Sequence, residues 1–252
     1  MELGLKGKKA IVTGGTRGIG RAIAETLARE GCDVGICARQ EDQVKQAVTA
    51  LEALGAKATG SAVDVAQGEA LRSWIESAEK ALGGVDILVP NVSAMDMGAG
   101  LASWKRGFEL DILGTVNAVE AALPFLKKSG AGAIVVVCST AAVQVEGPQA
   151  YSGVKAALVP YIKGLAVQLA PDNVRANLVS PGTIYFEGGV WQRIQQNAPE
   201  MYKNMLSRNP TGRMGTPQEV ANAVVFLSSP AASFISGTNL ICDGAITRRV
   251  QF

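Results

Sequence analysis

A tyrosine and a lysine four residues apart are the side chains of this sequence best suited to acid–base chemistry. Tyr151 and Lys155 occur in the stretch Tyr-Ser-Gly-Val-Lys, at the start of a segment with a helical pattern. Residues four apart share one helix face, so the phenol and the ammonium can meet in one pocket. A free phenol has a pKa of roughly 10, and a nearby ammonium favours the phenolate and lowers that value. The pair predicts a proton donor for carbonyl reduction that also serves as a base in alcohol oxidation, although such pairs are common on helix surfaces as well.

Two hydroxyl residues, Ser139 and Thr140, follow a predicted strand at residues 133–138. A hydroxyl there can hold a substrate oxygen in line with the tyrosine proton, whereas Ser and Thr are also frequent in turns at strand ends. The sequence contains no histidine, which excludes Ser-His-Asp and Cys-His mechanisms and most zinc sites. We therefore expect no metal, and acid–base chemistry must come from Tyr, Lys, Asp, Glu or Cys.

A glycine-rich stretch at residues 13–20, Thr-Gly-Gly-Thr-Arg-Gly-Ile-Gly, follows a predicted strand and opens a predicted helix. Gly14, Gly18 and Gly20 permit a tight turn, close approach of backbone N–H groups to a phosphate and close packing of the helix on the sheet. The helix N-terminus offers its free N–H groups to a pyrophosphate. Such a motif is weak evidence alone, but in this position it predicts a dinucleotide site.

The end of the second predicted strand bears on the choice of cofactor. An acidic residue there would bind the ribose 2′-hydroxyl and favour NAD(H), but the sequence has Ala38 followed by Arg39. The guanidinium groups of Arg39 and of Arg17 in the glycine stretch fit a 2′-phosphate. We therefore expect NADP(H) in preference to NAD(H); the alternative is a solvated surface pair.

Polar residues also follow the third and fourth predicted strands. Asp64 and Val65 come after residues 58–63, and Asn91 and Ser93 come after residues 86–89. The carboxyl ends of parallel strands meet at one edge of a sheet, where ligands of such folds bind. We expect Asp64 to accept a hydrogen bond from the adenine amino group, and the Asn91 segment to line the adenine ribose; the alternative for each segment is an ordinary turn at the end of a strand.

The elements that must position these residues alternate along the chain. Strands are predicted at residues 10–13, 33–37, 58–63, 86–89, 133–138, 175–179 and 239–241, and helices include 19–30, 41–54, 69–82 and 104–126. Continuous apolar runs suit strands covered on both faces, and the alternation predicts βαβ units. We expect an α/β fold: a single Rossmann-type, doubly wound, parallel seven-stranded sheet with helices on both faces, in one domain over residues 1–252.

The composition of the chain limits which partners it can bind and where in the cell it is expected. The net charge of +2 comes without a basic cluster, so no nucleic-acid partner is expected. No apolar stretch reaches the roughly 18 residues of a membrane helix, and the chain starts into a strand instead of a signal-peptide core. The four cysteines lack paired or metal-ligand spacing, which is typical of reduced thiols. These features predict a cytoplasmic protein whose partner is a small molecule.

Residues 183–209 interrupt the strand–helix rhythm. They contain Gly188-Gly189 and then Trp191, Met201, Tyr202 and Met205 at loosely helical spacing. Two interpretations stay open: a substrate lid with a glycine hinge, or a surface helix that packs its apolar side. The aromatic and methionine content points to an apolar or cyclic carbonyl substrate.

Taken together, the motifs resemble the classical short-chain dehydrogenases/reductases over almost the whole chain, in the style of 3-oxoacyl-[acyl-carrier-protein] reductase-like members. The matches are residues 13–20, Asp64, 91–94, Ser139, Tyr151, Lys155 and Pro181-Gly182. The resemblance implies Tyr151 as general acid/base, Lys155 lowering its pKa, Ser139 orienting the substrate, and a homotetramer assembled partly through the long helices before and containing Tyr151. The full predicted cofactor set is Gly14, Thr16, Arg17, Gly18, Ile19, Gly20, Arg39, Asp64, Val65, Asn91, Ser93, Tyr151, Lys155, Pro181, Gly182 and Ile184.

Four features depart from the family pattern; one is Pro160, inside the helix that contains Tyr151 and Lys155, where it removes one helical hydrogen bond and is expected to kink the helix after that pair. Asp111 stands where the family usually has an Asn in a proton relay, so we count Asp111 with the catalytic residues and expect altered pH dependence. The spacing from Ser139 to Tyr151 is one residue shorter than the commonest spacing in the family. Counting the common spacing backwards from Tyr151 would place the substrate-orienting residue at Cys138, but the strand pattern favours Ser139. Phe186 stands where the family often has a Thr that contacts the cofactor carboxamide, with Thr183 as a candidate substitute.

The sequence thus predicts an NADP(H)-dependent oxidoreductase that reduces a ketone or aldehyde reversibly, with Tyr151 as general acid/base. An NAD(H)-dependent secondary-alcohol dehydrogenase is one alternative. A catalytically weak, dinucleotide-binding interaction protein is another, supported only by Asp111 and Phe186.

Overall fold

Seven short strands pair in parallel in the computed structural model, which describes residues 2–250. The strand order is β3-β2-β1-β4-β5-β6-β7, so the winding reverses between β1 and β4. This confirms the doubly wound parallel sheet expected from the sequence. The strands are β1 (Lys9–Thr13), β2 (Asp33–Ala38), β3 (Ala58–Ala62), β4 (Ile87–Val89), β5 (Gly132–Val137), β6 (Val174–Pro181) and β7 (Asn239–Cys242).

Helices cover both faces of this sheet. Residues of α1, α2 and α9 join one buried apolar cluster, and residues of α3, α5 and α6 join a second cluster on the opposite face. None of the described helices is both long and apolar enough to cross a membrane. The α-helices are α1 (Gly18–Arg29), α2 (Glu41–Ala53), α3 (Gly68–Leu82), α4 (Leu101–Gly107), α5 (Gly114–Lys128), α6 (Ala150–Leu169), α7 (Val190–Asn197), α8 (Pro199–Ser207) and α9 (Pro217–Ser228).

Strand β5 is covered on both faces, as its continuous apolar run predicts. Ile134 and Val136 pack into the α3–α5–α6 cluster, while Val135 and Val137 pack into the α1–α2–α9 cluster. Side chains alternate between the faces of a strand, so a strand covered on both faces must be apolar at every position. The run therefore places β5 in the middle of the sheet.

The helical segment predicted at residues 104–126 differs from the expectation in an important way. It begins earlier, at Leu101, and is interrupted by a π-helical turn, Phe108–Leu113, between α4 and α5. A π-helical turn adds one residue to the helical repeat, and such turns are frequent at functional sites. The turn contains Asp111, which is completely buried.

The remaining boundaries deviate by a few residues. Strand β6 is longer than predicted, since it runs from Val174 to Pro181, and β3 ends at Ala62. The 183–209 segment holds two short helices, α7 and α8, joined at Ala198. Deviations of this size are ordinary at the frayed ends of elements, whereas the π-helical turn has a structural cause of its own.

We predict that Gly20→Ala destabilises the fold, because α1 approaches the glycine turn too closely for a side chain. A Cβ on Gly20 would overlap the carbonyl oxygen of Gly14 and the Asn91 amide. Overpacking against rigid backbone costs about 1–3 kcal/mol, which a lower midpoint in urea would report. The control is Gly147→Ala, whose Cβ would meet nothing within 4 Å and which should change stability by less than about 0.5 kcal/mol. Equal stability of the two variants would contradict the packing argument.

Candidate functional site

One cavity of about 990 Å³ opens at the carboxyl edge of the sheet. Its wall contains every predicted cofactor residue except Gly18, and every predicted catalytic residue except Asp111. The structure therefore brings together residues that are far apart in the sequence. The predicted residues on the wall are Gly14, Thr16, Arg17, Ile19, Gly20, Arg39, Asp64, Val65, Asn91, Ser93, Ser139, Tyr151, Lys155, Pro181, Gly182 and Ile184.

The glycine turn is held in shape by Asn91. The Asn91 side-chain amide donates to the carbonyls of Thr13 and Gly14 at 3.1 and 3.2 Å, and its backbone N–H donates to Thr13 Oγ1 at 3.0 Å. Gly14 adopts φ +69°, which favours glycine, and its N–H donates to the Cys37 carbonyl at 2.8 Å. Asn91 lies on the cavity wall as expected, but its amide protons bind the turn.

The N-terminus of α1 follows this turn and points its backbone donors at the cavity. No side chain caps the helix at Arg17, so the N–H groups of its first turn stay available to a ligand. Such a terminus, with the positive end of its dipole, fits a phosphate group. The residues present thus fit a dinucleotide pyrophosphate.

The far end of the cavity, beyond β2, is strongly basic. Arg17 and Arg39 both line it, and neither forms a salt bridge with a carboxylate in the described part of the chain. Asp64 is the only acidic residue on the described wall, and its Oδ1 accepts the N–H of Ala66 at 3.0 Å. Unpaired guanidinium groups at one end of a cavity favour an anionic ligand there.

Tyr151 and Ser139 stand together at the other end of the cavity. Ser139 follows β5 in an extended conformation, its Oγ accepts the N–H of Ala141 at 3.1 Å, and its hydroxyl lies within hydrogen-bonding reach of the phenol. Tyr151 sits in the first turn of α6 and is 8% exposed. The two hydroxyl groups can therefore address one substrate oxygen.

Burial is the largest influence on the Tyr151 pKa, and the net effect is to raise it above its usual value. The Lys155 ammonium and the Ser139 hydroxyl act to lower this pKa, while Asp111 and Cys138 act to raise it. The sequence expectation of a lowered pKa is therefore wrong in net direction, although the effect of Lys155 has the expected sign. The phenol is held in its protonated form.

Lys155 is fixed by a buried carboxylate. Its ammonium Nζ lies 3.0 Å from Asp111 Oδ1 and donates to the Val137 carbonyl at 3.3 Å. Burial acts to lower the pKa of Lys155, but the Asp111 carboxylate, with smaller contributions from Tyr151 and Cys138, raises it overall. Asp111 itself lies behind the cavity wall and contacts that wall through Lys155 and through the N–H of Ala94.

The contacts of Ser139 and Cys138 decide which of the two lies beside the phenol. The Cys138 thiol is buried and donates to the Lys155 carbonyl at 3.4 Å, which turns it towards the backbone of α6. Burial also raises the pKa of Cys138, which keeps the thiol neutral. The hydroxyl next to the phenol is that of Ser139, in agreement with the strand pattern of the sequence.

Phe186 packs on the glycine turn. A Cβ on Gly18 would lie 2.6 Å from the Phe186 ring, and one on Gly189 would lie 3.0 Å from it, so the ring sits between two glycines. This covers Gly18 and keeps it off the cavity wall. The Thr183 hydroxyl donates to Asn209 Oδ1 at 3.1 Å and does not reach the wall, so Thr183 is not positioned as the substitute.

The sequence reasoning missed several residues of the wall. Arg106 and Leu110 are four apart in the helical run at 101–113, a spacing that could have marked a shared face. Gln43 lies on the first turns of α2, beside the Arg39 end. Nothing in the local sequence pattern marks Met95 or Arg193 as lining residues.

Comparison with known proteins agrees with this site. The family model described as Enoyl-(Acyl carrier protein) reductase matches residues 14–247. Isoepoxydon dehydrogenase from Penicillium expansum is 38% identical over 257 residues, covering 100% of this chain and 99% of the relative. Human dehydrogenase/reductase SDR family member 4 is 34% identical, covering 98% and 90% of the two chains.

Solved structures match over the whole fold. L-sorbose reductase from Gluconobacter frateurii, complexed with NADPH and L-sorbose, superimposes with a TM-score of 0.92 at 32% identity and covers 99% of this chain and 100% of that one. An NADPH-bound short chain oxidoreductase from Pseudomonas aeruginosa PAO1, described as containing an atypical catalytic center, gives a TM-score of 0.89 at 30% identity, with 96% and 98% of the two chains covered. The protein belongs to the short-chain dehydrogenase/reductase family of oxidoreductases.

Proposed function

We propose that this oxidoreductase uses NADP(H) to reduce a ketone or aldehyde to an alcohol, reversibly, with Tyr151 as general acid/base. The observation that carries the proposal is the cluster of Tyr151, Ser139 and Lys155 at one end of a cavity that has two unpaired arginines, Arg17 and Arg39, at its other end. Such a cavity holds an anionic dinucleotide along its length and leaves the reacting atoms beside the phenol.

The chain's own residues supply positioning and a proton. When bound, the nicotinamide cofactor supplies or accepts the hydride. Ser139 holds the substrate oxygen, and Tyr151 donates its phenolic proton to that oxygen as the carbonyl becomes an alcohol. In the oxidative direction the phenolate takes the proton back. The Ser139 hydroxyl also stabilises the negative charge that develops on the oxygen.

The predicted cofactor residues are assigned by their place on the wall. The backbone from Gly14 to Gly20 and the start of α1 would hold the pyrophosphate, and Asp64 would accept from the adenine amino group. Pro181, Gly182 and Ile184 line the wall near the phenol end, where the nicotinamide ring would lie. The NADPH-bound structures that resemble this chain support the cofactor class.

The substrate we propose is a small cyclic or apolar carbonyl compound, and residues 183–209 would form its lid. Met95, Leu110, Val190 and Trp191 give the cavity an apolar part, and the last two belong to the lid segment. The relatives named isoepoxydon dehydrogenase and L-sorbose reductase support a small-molecule substrate. The relative named a dehydrogenase makes physiological oxidation of a secondary alcohol the second candidate for the direction of the reaction.

We further propose a cytoplasmic homotetramer, in one domain over residues 1–252. All four cysteines are free thiols, a state typical of the cytoplasm. An apolar strip on α4 and the π-helical turn, which ends where α5 begins, is exposed, and a surface of this kind marks a protein interface. The strip, called here the α4–α5 strip, comprises Leu101, Trp104, Phe108 and Leu113.

Tyr151→Phe should lower the kcat/KM of carbonyl reduction about a thousandfold, because the substrate oxygen loses its proton donor. The measurement is NADPH consumption against a panel of ketones and aldehydes. The matched control is Tyr161→Phe on the same helix, whose tyrosine lies off the cavity wall and which should keep its activity. Undiminished turnover in Tyr151→Phe would remove Tyr151 from the mechanism, and tight cofactor binding without turnover on any carbonyl would favour a binding role.

Arg39→Ala should weaken NADPH binding about tenfold or more and change NADH binding by less than about twofold. A hydrogen bond to a charged group contributes about 1.5–3 kcal/mol, and only NADPH carries the 2′-phosphate that Arg39 would bind. Fluorescence titration of both cofactors measures the difference, with Arg72→Ala on α3, away from the cavity, as the control. If the wild-type protein binds NADH as tightly as NADPH, the NAD(H)-dependent alternative replaces this assignment.

Phe108→Asp should convert the homotetramer into smaller species in analytical ultracentrifugation. The Phe108 side chain is 50% exposed in the α4–α5 strip, and a carboxylate cannot be buried in an apolar interface without a partner. Leu54→Asp, a change of a 37% exposed residue just beyond α2, is the control and should leave the assembly intact. Identical sedimentation of Phe108→Asp and wild type would place the interface elsewhere.

A further inference from the structure

The most unusual feature of the site is a buried carboxylate–ammonium pair, in which Lys155 lies on the cavity wall and Asp111 lies behind it. Lys155 is 2% exposed and Asp111 is 0% exposed, and their charged atoms lie 3.0 Å apart. Neither charge is screened by solvent at that depth, so the pair imposes its field on every group around it. A buried pair of this kind is costly to form and is weak evidence for stability alone. Its place beside Tyr151 therefore suggests a role in the chemistry of the site instead of in stability.

Asp111 is attached to three parts of the fold at once. Its Oδ1 pairs with Lys155 on α6, and its Oδ2 accepts the N–H of Ala94, in the segment after β4, at 2.9 Å. Its backbone carbonyl accepts the Thr115 hydroxyl at 2.7 Å. The π-helical turn gives residue 111 this inward position. Asp111 thus fixes where the Lys155 ammonium stands.

Few ionisable groups act strongly on the phenol in the described part of the chain. The ionisable groups that act on Tyr151 are Lys155 on its own helix, Asp111 on the π-helical turn and Cys138 at the end of β5; Ser139 adds a hydrogen bond. The Cys138 thiol is neutral because burial raises its pKa. The ammonium and the carboxylate cancel, so the cluster is neutral while Tyr151 keeps its proton and becomes negative when the proton leaves.

We propose that Asp111 is a positioning residue that anchors the Lys155 ammonium and cancels its charge, and so keeps the Tyr151 phenol protonated as a proton donor for reduction. The inference rests on the proposed role of Tyr151. It assigns to Asp111 a charge effect that a neutral amide in the same place would not have. It also favours reduction over oxidation, because at neutral pH the protonated phenol that carbonyl reduction needs is the populated form.

Replacing Asp111 by Asn removes one negative charge and keeps the shape of the side chain. The cluster would then carry a net positive charge with Tyr151 protonated, and loss of one proton from the Tyr151–Lys155 pair becomes easier whichever group releases it. Asp111→Asn should therefore move the alkaline fall of kcat/KM for reduction to lower pH by about one unit. A purely structural Asp111 would change the rate without moving the pH of that fall.

Tyrosinate absorbance gives a readout that needs no turnover. The chain has four tyrosines, and subtracting the ultraviolet pH titration of Tyr151→Phe from that of its parent isolates Tyr151. The same subtraction in the Asp111→Asn background should show Tyr151 titrating about one unit lower than in the wild type. Asp86→Asn is the matched control, because Asp86 also pairs with a lysine, Lys8 at 3.1 Å, before β4 at the other end of the strand.

The possible outcomes separate this inference from the proposed function. A lower titration in Asp111→Asn, with Asp86→Asn unchanged, supports the role of Asp111 even if no carbonyl of the panel is reduced. An unchanged or higher titration overturns it even if the wild type is an active reductase. Should Asp111→Asn fail to fold, the smaller neutral variant Asp111→Ser carries the same comparison: Tyr151 titrating lower than in the wild type supports the inference, and an unchanged or higher titration overturns it.

Discussion

Parallel pairing of all seven strands is the constraint on which the rest of this structure depends. Residues that follow the strands all emerge at one edge, and the winding reverses between β1 and β4, so the helices after these strands leave towards opposite faces. A crevice opens where they part. The glycine turn, Asp64, Asn91, Ser139 and Pro181 meet there because each comes at or just after the end of a strand. Long-range geometry thus follows from topology.

The parts of the site that the sequence predicted are those with local signals. The spacing of Gly14, Gly18 and Gly20 between a strand and a helix requires only neighbouring residues to be interpreted, and so does the helical spacing of Tyr151 and Lys155. The hydroxyl of Ser139 could be placed because an apolar run ends just before it. In each case the secondary structure of a local segment and the direction of its strand or helix were sufficient to place the residue.

What could not be predicted depends on contacts between distant segments. The π-helical turn that carries Asp111 inwards has no sequence signature, because such turns are rare and tertiary packing decides them. The same is true of the Phe186 ring between Gly18 and Gly189, and of the direction in which the Tyr151 pKa moves. That direction follows from a competition between burial and two opposite charges, and tertiary contacts decide both the burial and the distances between the charges.

The distribution of charge along the cavity connects these observations. At the end beyond β2, Arg17 and Arg39 stay unpaired, and the described wall has a single carboxylate, so the field there attracts an anion. At the phenol end the one buried cation, Lys155, is already neutralised by Asp111. An unpaired ammonium beside the phenol would also attract anions, and it would compete with the arginines for the phosphates. With Lys155 neutralised, the function proposed above would place phosphate binding at the Arg17 and Arg39 end of the cavity and proton transfer at the Tyr151 end.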